Sequence, residues 1–239
     1  IYCYLISDYS VINVYQNSHH LKPLLYKISG SWGNHEGSML LLISVLAFYN
    51  CIFAVFSKIP LSIKSTAMTI QLAIIGLFSS YTLITSNPFL QQLSVPNAGL
   101  GLNPILQDIG LALHPPMLYM GYLGFSMVFG IFLAGLINKN LDKKIIQSVQ
   151  AFAFFSLATL TLGIALGSWW AYRELGWGGY WFWDPVENIS LMPWICSTAL
   201  IHALKLSNQN SQMLKWSSFL CILTMILCLL GIFLTRSGV

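Results

Sequence analysis

Tryptophan and glycine crowd into one stretch of this 239-residue chain. Trp169, Trp170, Trp177, Trp181, Trp183 and Trp194, six of the eight tryptophans, lie there beside Gly167, Gly176, Gly178 and Gly179. Tryptophan offers a large apolar face with a single N–H and favours the membrane–water boundary. Glycine lets the backbone turn and approach a ligand closely. A glycine-hinged tryptophan platform suits a flat, mostly apolar molecule with polar edges, and a porphyrin has that form. The competing reading is an interfacial belt that only anchors the chain.

Other side chains here have two readings each. Asp184-Pro185-Val186-Glu187 has the pattern of a helix start: Asp as N-cap, Pro at the first helical position and Glu at the third. Those carboxylates could also touch a ligand. Arg173 could pair with a carboxylate of a bound porphyrin, with Glu174 or with a lipid phosphate. His114 precedes Pro115-Pro116, and a residue before proline is disfavoured in helical backbone. It is therefore expected just ahead of a helix beginning at Pro115 or Pro116, as a cap or as a neutral imidazole facing iron. His202 lies inside an apolar segment, roughly 25 Å below Pro185 at 1.5 Å per helical residue. Ionisable groups within a span are functional candidates, with Thr198 and Ala199 leaving room one turn above. A polar link to another helix is the alternative. His35, His19 and His20 sit further out, and no histidine pair has zinc-like spacing.

The elements that position these groups follow from hydropathy. The chain is 56% hydrophobic and 8% charged, against about a quarter charged in soluble domains. Six apolar stretches, at 38–56, 67–85, 117–137, 148–166, 189–204 and 216–234, approach the ~20 residues that cross a bilayer as a helix. Lipid obliges each to satisfy its own backbone hydrogen bonds. The expected fold is all-α: a polytopic transmembrane helical bundle with an external tryptophan-rich loop. Residues 1–37 read as the end of a truncated helix plus an outer segment. Residues 38–239 read as the membrane domain, with an outer loop at 86–116 and the tryptophan loop at 167–189. Lys58, Lys64, Lys139, Lys143, Lys144, Lys205 and Lys215 fall in alternate loops, which the positive-inside rule places inside. That topology accounts for the net charge of +4 better than nucleic-acid binding does. The five cysteines form no Cys-x-x-Cys, so neither a redox pair nor a c-type haem attachment site is indicated.

Several blocks together resemble the CcmF family, haem lyase subunits of cytochrome c maturation that carry the tryptophan-rich "WWD" signature. They are Ile-Ser-Gly-Ser-Trp-Gly-Asn-His-Glu-Gly-Ser (28–38), Thr-Ser-Asn-Pro-Phe (85–89), Leu-Asn-Pro-Ile-Leu-Gln-Asp (102–108), Leu-His-Pro-Pro-Met-Leu-Tyr-Met-Gly-Tyr (113–122) and Trp-Gly-Gly-Tyr-Trp-Phe-Trp-Asp-Pro-Val-Glu-Asn (177–188). The chain is similar to the N-terminal piece of a split mitochondrial CcmF. The resemblance implies a subunit that receives haem on its outer face and helps attach it to apocytochrome c by thioether bonds. His114 matches the first of the family's two outward-facing ligands and would ligate the outer, transient haem, this chain supplying one half of that site. His202 would ligate a membrane haem b (iron protoporphyrin IX) whose other ligand comes from a partner chain. Trp169, Trp170, Trp177, Gly178, Gly179, Trp181, Trp183 and Asp184 would form the haem-handling surface, with Arg173 as a propionate contact. Implied partners are a C-terminal CcmF-like chain, the haem chaperone CcmE, a CcmH-like thiol protein, apocytochrome c and membrane lipid. The implied location is the mitochondrial inner membrane with the tryptophan loop in the intermembrane space, or else a bacterial inner membrane. A haem-delivery subunit without ligation activity, or a purely structural one, are the alternatives.

The loop charges generate a topology test. With the native thiols replaced, Lys143→Cys and Trp181→Cys should react with an impermeant maleimide from opposite faces of sealed vesicles. Labelling of both from one face would refute the arrangement.

Overall fold

The computed structural model describes residues 1–176, 178–207 and 210–236. Six long helices dominate: α4 (His35–Phe56), α5 (Leu61–Thr85), α6 (Ile109–Ile137), α7 (Lys143–Glu174), α8 (Pro185–Leu206) and α9 (Ser211–Arg236). All six are long and apolar enough to cross a membrane. Three short helices precede them: α1 (Tyr2–Ile6), α2 (Ile12–Asn17) and α3 (Leu24–Gly30). Helices start where sequence chemistry allows. Asn34, Asp108, Asp142 and Asp184 each accept a backbone N–H as N-caps of α4, α6, α7 and α8.

The opening fourteen residues are not one continuous helix. They fold as α1 and α2 on the loop between α5 and α6. Ile12 N–H donates to Leu90 O at 2.9 Å and Gln92 N–H to Ser10 O at 2.9 Å. Tyr4, Asn13 and Asn34 hydrogen-bond one another and tie this layer to the start of α4.

α6 is the central helix, packed against α3, α4, α5, α7 and α9. Phe125, Met127, Ile131 and Phe132 on α6 are buried with Tyr49 and Phe53 of α4. A hydrophobic driving force between helices is absent in lipid, so close packing has to hold them. Glycines supply it along the α6–α7 seam. A Cβ on Gly121 would lie 2.6 Å from Leu160 Cα, and one on Gly163 would lie 2.7 Å from Leu118 N. Gly163 and Gly167 are four apart, the small-xxx-small spacing.

The connecting turns segregate by character. Lys58, Asp142, Lys143 and Lys144 surround one surface hollow at one end of the bundle. The α7–α8 loop lies at the other end, beside the N-terminus of α6.

Two helices begin or end away from the hydropathy boundaries. α6 starts at Ile109, so the outer loop is 86–108 rather than 86–116. α7 runs to Glu174, so residues 167–174 are helical and the loop proper is 175–184.

The glycine seam predicts the effect of single methyl groups. Gly163→Ala should force α6 and α7 apart and cost about 1–3 kcal/mol. Gly76→Ala on α5, where a Cβ would meet nothing within 4 Å, should be neutral or slightly stabilising. Thermal unfolding of both variants in one detergent checks this; equal midpoints would refute the seam.

Candidate functional site

The site is built from the start of α6 upward. Asp108 is buried and accepts from Gly110 N–H at 2.6 Å. That cap starts α6 five residues before His114, so His114 is inside the helix and not ahead of it. The prolines remain in the helix because their cost is met elsewhere. Proline at 116 cannot donate to Ala112 O, four residues back. Trp32 Nε1–H donates to that carbonyl instead, at 3.2 Å.

The helical register turns His114 onto α7. Its Nδ1 lies 2.7 Å from Gly163 O, so Nδ1–H donates and the proton is fixed on that nitrogen. Nε2 is left as the lone-pair nitrogen, the arrangement that a metal-ligating imidazole adopts. The ring packs against Gly167, where a Cβ would be 2.7 Å from Nδ1. Any larger residue at 167 would displace this imidazole, and one at 163 would run into Leu118.

His114 lines a cavity of about 230 Å³ with Pro115, Leu118, Tyr119, Tyr122 and Ile164. Gly167, Ser168, Trp170, Trp181, Asp184, Glu187, Ser190 and Arg236 complete its walls. Pockets that bury drug-sized ligands run about 300–1,000 Å³, so this one takes the edge of a large flat molecule and leaves the rest outside.

The upper rim is the 175–184 loop. Gly176 and Gly178 have φ of 66° and 75°, which glycine alone adopts without strain. Trp183 has φ 58°, an uncommon state for a bulky residue that costs about 1–3 kcal/mol. The following helix start holds it there. Asp184 Oδ1 accepts from Glu187 N–H at 2.7 Å. Glu187 Oε2 accepts from Phe182 N–H at 2.8 Å and Asp184 N–H at 3.3 Å. Asn188 Nδ2–H donates to Trp183 O at 2.8 Å. The 184–187 capping box read from the sequence is therefore present. Trp181 and Trp183 meet edge to face, centroids 6.0 Å apart.

The expected surface is only partly gathered. Trp170, Trp181 and Asp184 line the cavity with His114. Trp170 Nε1–H also donates to Ile105 O at 3.2 Å, tying α7 to the outer loop. Trp169 turns away: it packs on Gly110, with Arg173 stacked 4.7 Å from its ring centroid. Gly178, Gly179 and Trp183 are on the loop but not on the cavity wall, and Trp183 is 68% exposed. Trp177 lies outside the described residues. Arg173 Nη2 pairs with Asp108 Oδ2 at 3.0 Å and not with Glu174. His202 sits four residues before the end of α8, exposed, with no hydrogen bond among the described residues. His35 Nε2 contacts Ser86 Oγ at 2.9 Å, and His19 stacks on His20. No cluster of three or more His, Cys, Asp or Glu that could hold a metal ion occurs among the described residues.

Tyr119, Tyr122, Ser190 and Arg236 were not anticipated. Leu118 and Tyr122 share a helical face with His114 at i+4 and i+8, a signal the sequence did carry. Arg236 is one hundred and twenty-two residues away from His114 in sequence, and no local pattern connects them.

A family model described as "Cytochrome C assembly protein" matches residues 32–239. The cytochrome c-type biogenesis protein CycK of Bradyrhizobium diazoefficiens is 53% identical over 234 residues, covering 98% of this chain and 36% of that protein. CcmF of Escherichia coli is 44% identical over 238 residues, covering 99% of this chain and 37% of that protein. A solved structure named "Cytochrome c Heme Lyase CcmF" superposes with TM-score 0.82 at 26% identity, over 97% of this chain and 37% of that one. The chain thus spans a little over a third of the length of these relatives. With its six apolar helices arranged as theirs are, it belongs to the cytochrome c assembly protein family, among the CcmF and CycK proteins.

Proposed function

We propose that this chain is a membrane subunit of a cytochrome c haem lyase, receiving haem at its tryptophan-rich end and holding it for attachment to apocytochrome c. The observation that carries the reading is His114. Its Nδ1 is committed to Gly163 O, and its ring lines an apolar, tryptophan-walled cavity. That is a one-sided ligand site for the iron of a flat macrocycle whose edge enters the cavity. The fold likeness to a CcmF structure supports the same reading.

The implied reaction is an addition. Each apocytochrome thiol adds S–H across a haem vinyl C=C, forming one C–S and one C–H bond and releasing nothing. No residue of this chain has to act as a nucleophile. His114 and the tryptophan rim would supply orientation and exclude water. The Glu187–Asp184 cap and Asn188 would hold Trp181 and Trp183 in place while haem arrives from a chaperone such as CcmE. A CcmH-like protein would present the thiols. Mitochondrial inner membrane, or bacterial inner membrane, with the cavity on the outer side is the location this reading carries.

The other end fits half of a membrane haem site. His202 lies on an exposed face with Ile195, Ala199 and Leu206, apolar and small enough at Ala199 to admit a macrocycle. A haem b there would supply one-electron redox chemistry. The remaining histidines are 19, 20, 35 and 114, none on α8 or α9, so the second axial ligand would come from a C-terminal CcmF-like chain.

The test is haem content and visible spectrum of the purified complex with its partners. His202→Ala should lose the membrane haem b and keep capture at the outer site. His114→Ala should do the reverse. Loss of both haems in either variant, or retention of both, would overturn the two-site reading. Trp183→Gly gives a second test, because glycine adopts φ 58° freely. It should change the unfolding free energy by no more than about 1 kcal/mol yet reduce haem capture from the chaperone. Unchanged capture would assign Trp183 to membrane anchoring alone.

A further inference from the structure

Two buried donors, on side chains that line the His114 cavity, have no acceptor among the described residues. They are Trp181 Nε1 and Arg236 Nε. Buried N–H groups are nearly always paired, so two orphans on residues that line one cavity mark a place where an acceptor belongs. Arg236 ends α9. One terminal nitrogen, Nη2, donates to Tyr119 Oη, and the guanidinium carbon stands 5.7 Å from the Tyr119 ring centroid. Tyr119 itself is buried on α6. The charge is thus fixed in direction by one hydrogen bond and a ring, while Nε stays open.

Among the described residues nothing neutralises Arg236. The only ion pair among the described residues is Arg173 with Asp108. Asp184 and Glu187, the acids on the same cavity, are turned to their own helix start, and neither lies within ion-pair distance of Arg236. Arg173, by contrast, is spent on Asp108 and Trp169. The cationic group left to meet an anion in this cavity is Arg236, at the wall that also holds the His114 imidazole.

We propose that Arg236 and Trp181 hold a propionate carboxylate of the haem whose iron faces His114. A carboxylate accepts from both N–H groups at once, and a guanidinium is the side chain best shaped to meet it. The contact would fix which edge of the macrocycle enters the cavity, and hence which edge carries the vinyl groups outward. This rests on the haem reading of the cavity and goes beyond it by assigning the carboxylate end.

The experiment measures binding of iron protoporphyrin IX and of its dimethyl ester to the chain in its purified complex. The ratio of the two affinities within one protein is insensitive to a partial loss of folded material. The wild-type protein should bind the free acid about tenfold or more tighter than the ester. Arg236→Gln should bring the two near parity by weakening the acid alone. Arg236→Lys should restore part of the preference. Trp181→Phe, which removes the N–H and keeps an aromatic ring, should lower the preference a few-fold. An Arg236→Gln protein that keeps the wild-type ratio, or weakens acid and ester equally, would overturn the assignment while leaving the haem reading intact. A wild-type complex that takes up neither porphyrin would overturn the haem reading and this assignment with it.

Discussion

The contact between α6 and α7 governs the site. These helices meet through glycine: Leu118 occupies the space that a side chain at 163 would need, and the imidazole of His114 occupies the space at 167. Closeness has two consequences. It places a backbone carbonyl, Gly163 O, within 2.7 Å of Nδ1. It also packs the ring on Gly167, where a Cβ would lie 2.5 Å from Cε1. A side chain held by packing and by one directional bond is preorganised, and preorganisation is what a ligand-binding imidazole needs. The same seam has to survive two prolines in the first turns of α6. Trp32, on the outer segment before α4, donates to the carbonyl that Pro116 leaves free. The outer layer is therefore part of the support of the site and not a mere lid.

A second constraint is the start of α8. Its cap satisfies the N–H groups of Phe182, Asp184 and Glu187 with two carboxylates. A capping group contributes about 0.5–2 kcal/mol, comparable with the cost of holding Trp183 at positive φ. Strain and cap are adjacent in sequence and similar in size, so the cap can hold the strained rim without any larger rearrangement. The functional and structural readings of Asp184 and Glu187 then coincide. The carboxylates act on the backbone, and through it they fix where Trp181 and Trp183 stand.

Hydropathy and capping chemistry made the six spans and the 184–187 helix start legible, because both are local signals. What was not legible depends on contacts far apart in sequence. His114 was expected ahead of a helix because proline disfavours helical backbone before it. Asp108 upstream and Trp32 eighty residues from Ala112 reversed that local preference. Arg173 offered three partners by proximity or chemistry, and the fold chose Asp108, sixty-five residues away. Trp169 and Trp170 are neighbours in the motif yet point to different sides of a helix, one to Gly110 and one into the cavity. A loop reading of 167–174 could not separate them; a helical reading does so at once, since successive residues on a helix are about 100° apart. Residues 1–14 were apolar enough to resemble a span end. There Tyr4 and Asn13 hydrogen-bond each other, and Gln92 Nε2–H of the outer loop donates to Tyr9 O at 2.7 Å.

The two candidate ligands differ in how finished they are. His114 has its second nitrogen occupied, its rotamer fixed, and a walled cavity beside it, all from this chain. His202 has an exposed face and no hydrogen bond among the described residues. A ligand at the inner end would have to order that imidazole on binding, at the entropic cost that His114 does not carry. An additional helix laid along the Ile195–Ala199–His202 face would remove much of that cost by restricting the ring before the macrocycle arrives. The relatives are nearly three times as long as this stretch of sequence, so chain to provide such a helix exists in them. The His114 side is therefore preorganised by contacts within this chain, whereas the His202 imidazole depends on whatever packs on α8.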